Sequence, residues 1–289
     1  MALLKFLFPP SLFVTATSLA SFTALASAGL SEFRGKNAEY SKFFNIRSNA
    51  SDSEKSSKFT LPSRIAMATL YTPAFLAGIS SFAIFPEENL RFLLLKSAIS
   101  IHFFKRVLES CFVHKYSGEM GIDTMIIILS SYFISTALMI FNQHLTIGLP
   151  EPAIDLKTPG ILLFFLGISG NFYHHLLLSK LRTEGPNKEY KIPKGGLFGV
   201  VVFPHYLFEV LIFWGFAFIS QTLFSFAYAM ATTCYLLGRS YASRRWLRNV
   251  VYVSEVISSP QPLSRDEEDD AIIIIGHTFE YLSSNAESF

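Results

Sequence analysis

Between Gly170 and Gly215 two strongly apolar segments carry Asn171, His174, His175, Arg182, His205, Tyr206 and Glu209, joined by a short basic loop. Groups that hydrogen-bond and ionise are rare in apolar membrane sequence, because each costs free energy there unless it is paired or serves a site. Asn171 and His175 are four residues apart and share a helix face, whereas His174 points about 100° away. Arg182 follows Asn171 by eleven residues, three turns along that face. The stripe suits a polar ligand entering from the cytosol, with Arg182 meeting phosphate and Asn171 deeper in; an interhelical hydrogen-bond seam is the alternative.

Downstream, Tyr190-Lys-Ile-Pro-Lys-Gly-Gly-Leu-Phe198 contains Gly195-Gly196, which permits a tight turn or a close approach of backbone to ligand. Pro204 is expected to break a helix next to His205 and Tyr206, with Glu209 one turn below His205. A carboxylate in hydrocarbon must be paired, protonated or bound to ligand. Trp214 reads as an interface anchor and Gly215 as a packing residue. A second cluster, His102, Lys105, Arg106, Glu109, His114 and Lys115, reads most simply as cations snorkelling to an interface with Glu109 as counter-ion. No metal constellation is expected: His174 and His175 are adjacent, and no HExxH motif occurs. There is no GxSxG nucleophile elbow either.

These residues need a membrane scaffold. Of the 289 residues, 51% are hydrophobic and 16% charged, and Phe alone numbers 30, which is too apolar for an ordinary soluble domain. The net charge of +2 gives no sign of a nucleic-acid partner. Cys111 and Cys234 lie in apolar surroundings and read as buried thiols. A first apolar segment, 3–28, ends in small residues like a secretory signal but reads better as an uncleaved span. Six more apolar runs follow, at 64–85, 90–113, 122–144, 158–181, 197–219 and 222–237, each near the roughly 20 residues a helical crossing needs. The expectation is an all-α polytopic membrane protein with seven transmembrane helices. The organisation is a first span and cytosolic loop over 1–63, spans two to four over 64–145, a catalytic part over 146–250 with spans five to seven, and a largely disordered tail over 251–289.

Lys and Arg concentrate after spans one, three, five and seven, while the alternate loops hold only Lys157, so the amino terminus is expected to be lumenal and the carboxyl terminus cytosolic. A glycan on Asn49, in the sequon Asn49-Ala50-Ser51, would reverse that orientation.

Gly170-Asn171, Leu181-Arg182, Tyr190-x-Ile-Pro-x-Gly-Gly-Leu-Phe198, Glu209 and Trp214-Gly215 together resemble the carboxyl-terminal domain of the steroid 5α-reductase superfamily. That superfamily includes steroid 5α-reductases, very-long-chain trans-2-enoyl-CoA reductases and polyprenol reductases. The resemblance implies seven helices, an endoplasmic reticulum membrane location and NADPH-dependent reduction of a lipid carbon-carbon double bond. It places the NADPH site on Asn171, His175, Arg182, Tyr190, His205, Glu209 and Arg239.

Where steroid reductases pair a Glu with a Tyr to polarise a 3-keto oxygen, this chain has Tyr71 and Phe103. Lys105-Arg106-x-x-Glu109 with Phe112-Val-His-Lys115, and Pro204-x-Tyr206-x-x-Glu209, are instead similar to the enoyl-CoA reductase pattern. The resemblance therefore implies a 2-enoyl-CoA or related conjugated carbonyl as substrate, Tyr206 as proton donor and Tyr71 facing it. A 3-oxo-Δ4-steroid or polyprenol is the alternative substrate, and other fatty-acid-elongation or lipid-synthesis subunits are candidate partners. After Trp246 the chain departs from the family ending: Ser243 and Leu247 stand where steroid reductases have His and Tyr, and an acidic tail follows. A catalytically silent lipid- or partner-binding member of the same fold is the competing reading of that departure.

Overall fold

The computed structural model describes residues 5–36, 59–86, 89–116, 118–181 and 193–258, with side chains up to residue 247. Seven α-helices are present among them. Pro9 and Pro10 lack the amide a helix would use, so α1 (Leu12–Phe33) starts beyond them, later than the apolar run itself, with Ser11 Oγ accepting the Val14 amide at 3.2 Å. The second helix, α2, covers Ser63–Ile84. Next comes α3 (Leu90–Leu108), capped by Asn89, whose side chain accepts the Phe92 amide at 2.9 Å. It widens at its end into a π-helical turn, Glu109–Val113. Then come α4 (Ile122–His144) and α5 (Lys157–Leu181), a short 3-10 turn (Gly196–Gly199), α6 (Pro204–Ser220) and α7 (Leu223–Ser258).

Two differences from the sequence expectation have simple causes. Pro204 does not break a helix running from 197; it occupies the first turn of α6, where the missing amide would have had no partner anyway. At the other end, α7 runs for 36 residues instead of stopping near 237. Hydropathy falls after Leu237, but Arg, Ser, Tyr and Ala continue the helix. At 1.5 Å per residue α7 is about 54 Å long, well beyond the roughly 30 Å of a hydrocarbon core. It therefore includes 251–258, where the sequence leads one to expect a disordered tail.

Four helices, α1, α2, α4 and α5, are long and apolar enough to cross a membrane. The apolar α6 has only 17 residues, and α3 carries Arg91, Lys96, Lys105 and Arg106 within its 19. Its neighbours are apolar and it sits among them. Phe92, Leu95 and Ile99 of α3 are fully buried with Leu70 and Ala74 of α2, Ile212 and Phe216 of α6 and Phe224 of α7. Large apolar side chains such as Leu162, Phe165 and Ile127 face outward, as a lipid-facing surface requires.

Small residues set the closest approaches. A Cβ at Gly160 would come 2.7 Å from the Ile219 amide, one at Gly167 would come 2.8 Å from that of Ile212, and one at Gly215 would come 2.8 Å from that of Phe164. The α5 and α6 backbones are therefore in direct contact. This confirms Gly215 as a packing residue; Trp214 turns toward α7, donating to Thr233 Oγ1 at 3.2 Å. A similar contact joins α1 to α7 at Gly29 and Gly238.

A two-stranded antiparallel ribbon, absent from the sequence expectation, pairs β1 (Thr60–Pro62) with β2 (Glu119–Gly121) in the register Leu61 opposite Met120. Each strand runs straight into a helix, so the ribbon fixes the starts of α2 and α4 side by side at the end where α3 finishes. That end holds the site.

Candidate active site

The site is built from the last turns of α3. Lys105 and Arg106 lie one turn before Glu109, and the π-helical turn reaims that carboxylate into the bundle. Glu109 is 99% buried, with Lys105 Nζ at 2.9 Å from Oε1 and Arg106 Nη1 at 3.2 Å from Oε2. The cations do not snorkel outward to an interface: both turn inward. From α5, His175 Nδ1 lies 3.0 Å from Glu109 Oε1 and 3.3 Å from Arg106 Nη1. Arg106 is a donor, so a hydrogen on His175 Nδ1 directed at Glu109 leaves the guanidinium beside the ring rather than bonded to it.

Two tethers extend the cluster. Arg106 Nη2 donates to the Tyr71 hydroxyl of α2 at 2.5 Å, with its guanidinium carbon 4.6 Å from the centre of that ring. Lys105 Nζ donates to Asn171 Oδ1, and Asn171 Nδ2 donates to the carbonyl of His205 at 2.8 Å. Asn171 thus ties α3 to the start of α6. The His205 ring lies 5.5 Å from His175 and 4.3 Å from Tyr206.

Glu209 of α6 is 93% buried and forms no hydrogen bond or ion pair among the described residues. Lys105, Arg106, Tyr71, Tyr132 and Tyr228 are among the groups on which its charge acts. A buried carboxylate in that state has an open acceptor position.

His174, on the other face of α5, has a structural task. Its Nε2 accepts the Leu197 amide at 3.0 Å, so Nδ1 carries the hydrogen and donates to the Gly170 carbonyl at 2.7 Å. This pins the loop entering α6. Gly195 and Gly196 hold φ of 89° and 55°, and a Cβ at Gly196 would come 2.6 Å from His174 Nε2, which explains the glycine pair.

Of the residues expected from sequence, Tyr71, Asn171, His175, His205, Tyr206 and Glu209 gather around Lys105, Arg106 and Glu109. Arg239 is engaged elsewhere: its Nη1 meets both carboxylate oxygens of Glu32 on α1 at 2.8 and 2.9 Å, and both side chains are buried. Arg182 and Tyr190 lie outside the described residues, as do Asn49 and the loop around it. His102 is packed edge-on against Phe103, Phe213 and Phe216, within the aromatic core.

Spacing in sequence gave no metal site, yet folding brings ligand atoms of Glu109, His114 and His175 within 4.8 Å of one another. The carboxylate already holds two fixed cations, Lys105 and Arg106, whose charge a metal ion would have to oppose.

Glu109 and Arg106 are central participants that sequence reading assigned to an interface. The signal available was their i, i+3 spacing, together with the unusual density of charge in an otherwise apolar helix.

Residues 120–253 match the family described as 3-oxo-5-alpha-steroid 4-dehydrogenase. The chain is 36% identical over 134 residues to the very-long-chain enoyl-CoA reductase of Dictyostelium discoideum, covering 45% of this chain and 43% of that protein. It is also 36% identical over 87 residues to the 3-oxo-5-alpha-steroid 4-dehydrogenase 1 of Macaca fascicularis, covering 30% of this chain and 33% of the relative. A weaker but longer match, 26% over 223 residues, covers 73% of this chain and 82% of the mouse (Mus musculus) 3-oxo-5-alpha-steroid 4-dehydrogenase 2. The chain thus spans less than half the length of the first two relatives. Over α4 to α7 the chain is thus similar to the family described as 3-oxo-5-alpha-steroid 4-dehydrogenase and to relatives named enoyl-CoA reductase and 3-oxo-5-alpha-steroid 4-dehydrogenase.

Proposed function

We propose that the protein reduces a carbon-carbon double bond conjugated to a carbonyl group in a lipid, with NADPH as reductant and a 2-enoyl-CoA as the favoured substrate. The observation that carries this reading is the convergence of a polarised phenol, two cations and an unbonded buried carboxylate at one end of a membrane-type helix bundle.

The residues fit the nicotinamide end of the cofactor. The open acceptor on Glu209 suits the N–H groups of a carboxamide, and Asn171 and His205 are proposed to border it. Arg182, Tyr190 and Arg239 are proposed for the phosphate-bearing part, the last of them on condition that Glu32 releases it. When bound, the cofactor supplies a hydride.

As a conjugated carbonyl is reduced, negative charge grows on the carbonyl oxygen and a proton is needed at the α-carbon. Tyr71 accepts from Arg106, which leaves its own O–H free to meet that oxygen and makes it a stronger donor. Tyr206, beside His205, is proposed as the source of the α-proton. Glu109 and His175 hold Arg106 and Lys105 in place.

The protein is proposed to span the endoplasmic reticulum membrane seven times, amino terminus lumenal and carboxyl terminus cytosolic, with the site at the cytosolic end. Other lipid-synthesis subunits are candidate partners. A second reading, a silent member of the fold, is favoured by the Glu32–Arg239 pair, which occupies one proposed cofactor residue.

The deciding experiment incubates the full chain with NADPH and, separately, a 2-enoyl-CoA, a 3-oxo-Δ4-steroid and a polyprenol. Mass spectrometry is expected to show a gain of two hydrogens with the enoyl-CoA, abolished in Tyr206→Phe. A gain with the steroid or polyprenol alone would reassign the substrate. No gain with any of the three would favour the silent reading.

A further inference from the structure

Reducing a carbon-carbon double bond takes a hydride and a proton, and the proton must come from water once in every turnover. A tyrosine that gives its hydrogen to the α-carbon is spent until another proton reaches its oxygen. In the structure a row of titratable rings runs to Tyr206 from the edge of the bundle. His114 follows the π-helical turn and is half-buried, beside the exposed Lys115. Its ring centre lies 4.7 Å from that of the buried His175, which lies 5.5 Å from His205, and the His205 ring lies 4.3 Å from Tyr206. The three histidines come from beyond the end of α3, from α5 and from the first turn of α6, so no single helix repeat accounts for the row.

The spacing suits proton transfer. Ligand atoms of Glu109, His114 and His175 lie within 4.8 Å of one another, a gap that one water molecule bridges with two hydrogen bonds. Lys105 and Arg106 oppose a metal ion there but not a neutral water. His175 Nδ1 is committed to Glu109 Oε1 at 3.0 Å, which leaves Nε2 to receive and release a hydrogen. While the ring carries both hydrogens, Glu109 balances its charge. Arg106, with Nη1 3.3 Å from Nδ1, keeps that state from persisting, as a shuttle requires.

We infer that His114, His175 and His205 form a relay that returns a proton from the cytosolic side to Tyr206 after each reduction. This rests on the reductase reading above, with Tyr206 as the α-proton donor. In each cycle the Tyr206 O–H bond breaks as the bond between hydrogen and the α-carbon forms, and the phenolate takes a hydrogen from His205. His205 takes one from Nε2 of His175, His175 takes one from His114 through water, and His114 takes one from solvent. One proton enters per double bond reduced, and no electrons travel along the row. Of these groups only Tyr206 touches the substrate; the histidines act through it.

The test follows the full chain in lipid nanodiscs, in weak buffer, with NADPH and trans-2-hexadecenoyl-CoA. Rapid quenching counts product in the first and later turnovers, and a pH-indicator dye counts the protons taken up. In His114→Ala the first turnover is expected to keep the rate of the unaltered chain, because Tyr206 already carries its hydrogen. Later turnovers should slow by roughly 10²-fold, with the first product appearing ahead of proton uptake. Added imidazole, which can stand in for the missing ring, should restore them. His114→Gln should show the same split between first and later turnovers, so that a fold disturbed by alanine does not decide the result. Variants that slow all turnovers alike, or none, or that imidazole does not rescue in the alanine case, overturn the relay and leave the reductase reading standing. No product from the unaltered chain, even in the first turnover, overturns the reductase reading and the relay with it.

Discussion

The two ends of α3 hold similar chemistry in opposite states. At its start, Arg91 is fully buried and every one of its N–H groups has an acceptor: Nε and Nη2 meet Glu151, Nη2 also meets Asp155 at 3.0 Å, and Nη1 meets the Ile219 carbonyl and Gln221 Oε1, both at 2.7 Å. Gln221 is equally saturated, its Nε2 donating to the carbonyls of Phe6 and Ile154 while Oε1 also accepts the Leu156 amide. About 22 Å along the helix, the Arg106 cluster is left incomplete. Arg106 Nε has no partner, and the Glu209 carboxylate forms no hydrogen bond, among the described residues. Burial and charge alone do not distinguish a structural ion cluster from a functional one. The distinction lies in unfilled hydrogen-bonding positions: the closed knot needs nothing more, whereas the open one is the site proposed to take a ligand.

The comparison breaks most visibly if each arginine is replaced in turn by methionine, which keeps length and removes charge. Arg91→Met should cost roughly 3–5 kcal/mol, because Gln221 and the Ile219 carbonyl lose a buried partner and α6, α3 and the 145–156 loop lose their common tie. Arg106→Met should unfold the protein much less, since Lys105 and His175 still satisfy Glu109, but should reduce kcat by about 10²–10³-fold. Thermal unfolding in detergent and NADPH-dependent turnover separate the two. If Arg106→Met proves the more destabilising and Arg91→Met the less active, the assignment of structure to one end and function to the other is reversed.

How much of this was legible in the sequence depends on the range of the interaction. Helices could be placed because apolar runs are local, and their starts follow from Pro9-Pro10, Asn89 and Pro204. The stripe of Asn171 and His175 was legible because four residues is one helical turn. The ribbon was not, because two three-residue strands carry no periodic signal. The Arg91–Gln221 and Glu32–Arg239 pairs were hidden by separations of 130 and 207 residues. Glu109 was visible as a counter-ion to its own helix, but nothing local shows that a π-helical turn hands it to His175.

A smaller effect is expected where the loop meets the open cluster. Gly196→Ala places a Cβ 2.6 Å from His174 Nε2 at a φ of 55°, so it should cost about 1–3 kcal/mol and disturb the entry to α6. Gly199→Ala, which meets nothing within 4 Å, should leave stability unchanged. Equal unfolding midpoints for the two variants would show that His174 does not pin the loop.

The smallest effect sharpens the closed end. Glu151 and Asp155 are about half exposed, so each is worth little individually at the surface, below about 1 kcal/mol. Partial burial alone would raise the Glu151 carboxyl, but the hydrogen bond and charge of Arg91, with Lys157 beyond, hold it below its ordinary value of 4.5. Asp155 is likewise held below 3.8: a slight burial penalty is outweighed by hydrogen bonds from Lys157 and by the charge of Arg91. Both carboxyls therefore ionise more readily in the folded chain than in the unfolded one. Their contribution is complete above pH 4.5 and is lost as the pH falls through the depressed folded values. In Glu151→Gln the unfolding midpoint should be slightly lower at pH 7 and should fall less steeply below pH 4.5 than in the unaltered chain. Parallel curves for the two proteins would mean that Arg91 is held by Gln221 and the Ile219 carbonyl alone, and that the knot is closed from within the bundle rather than by the loop acids.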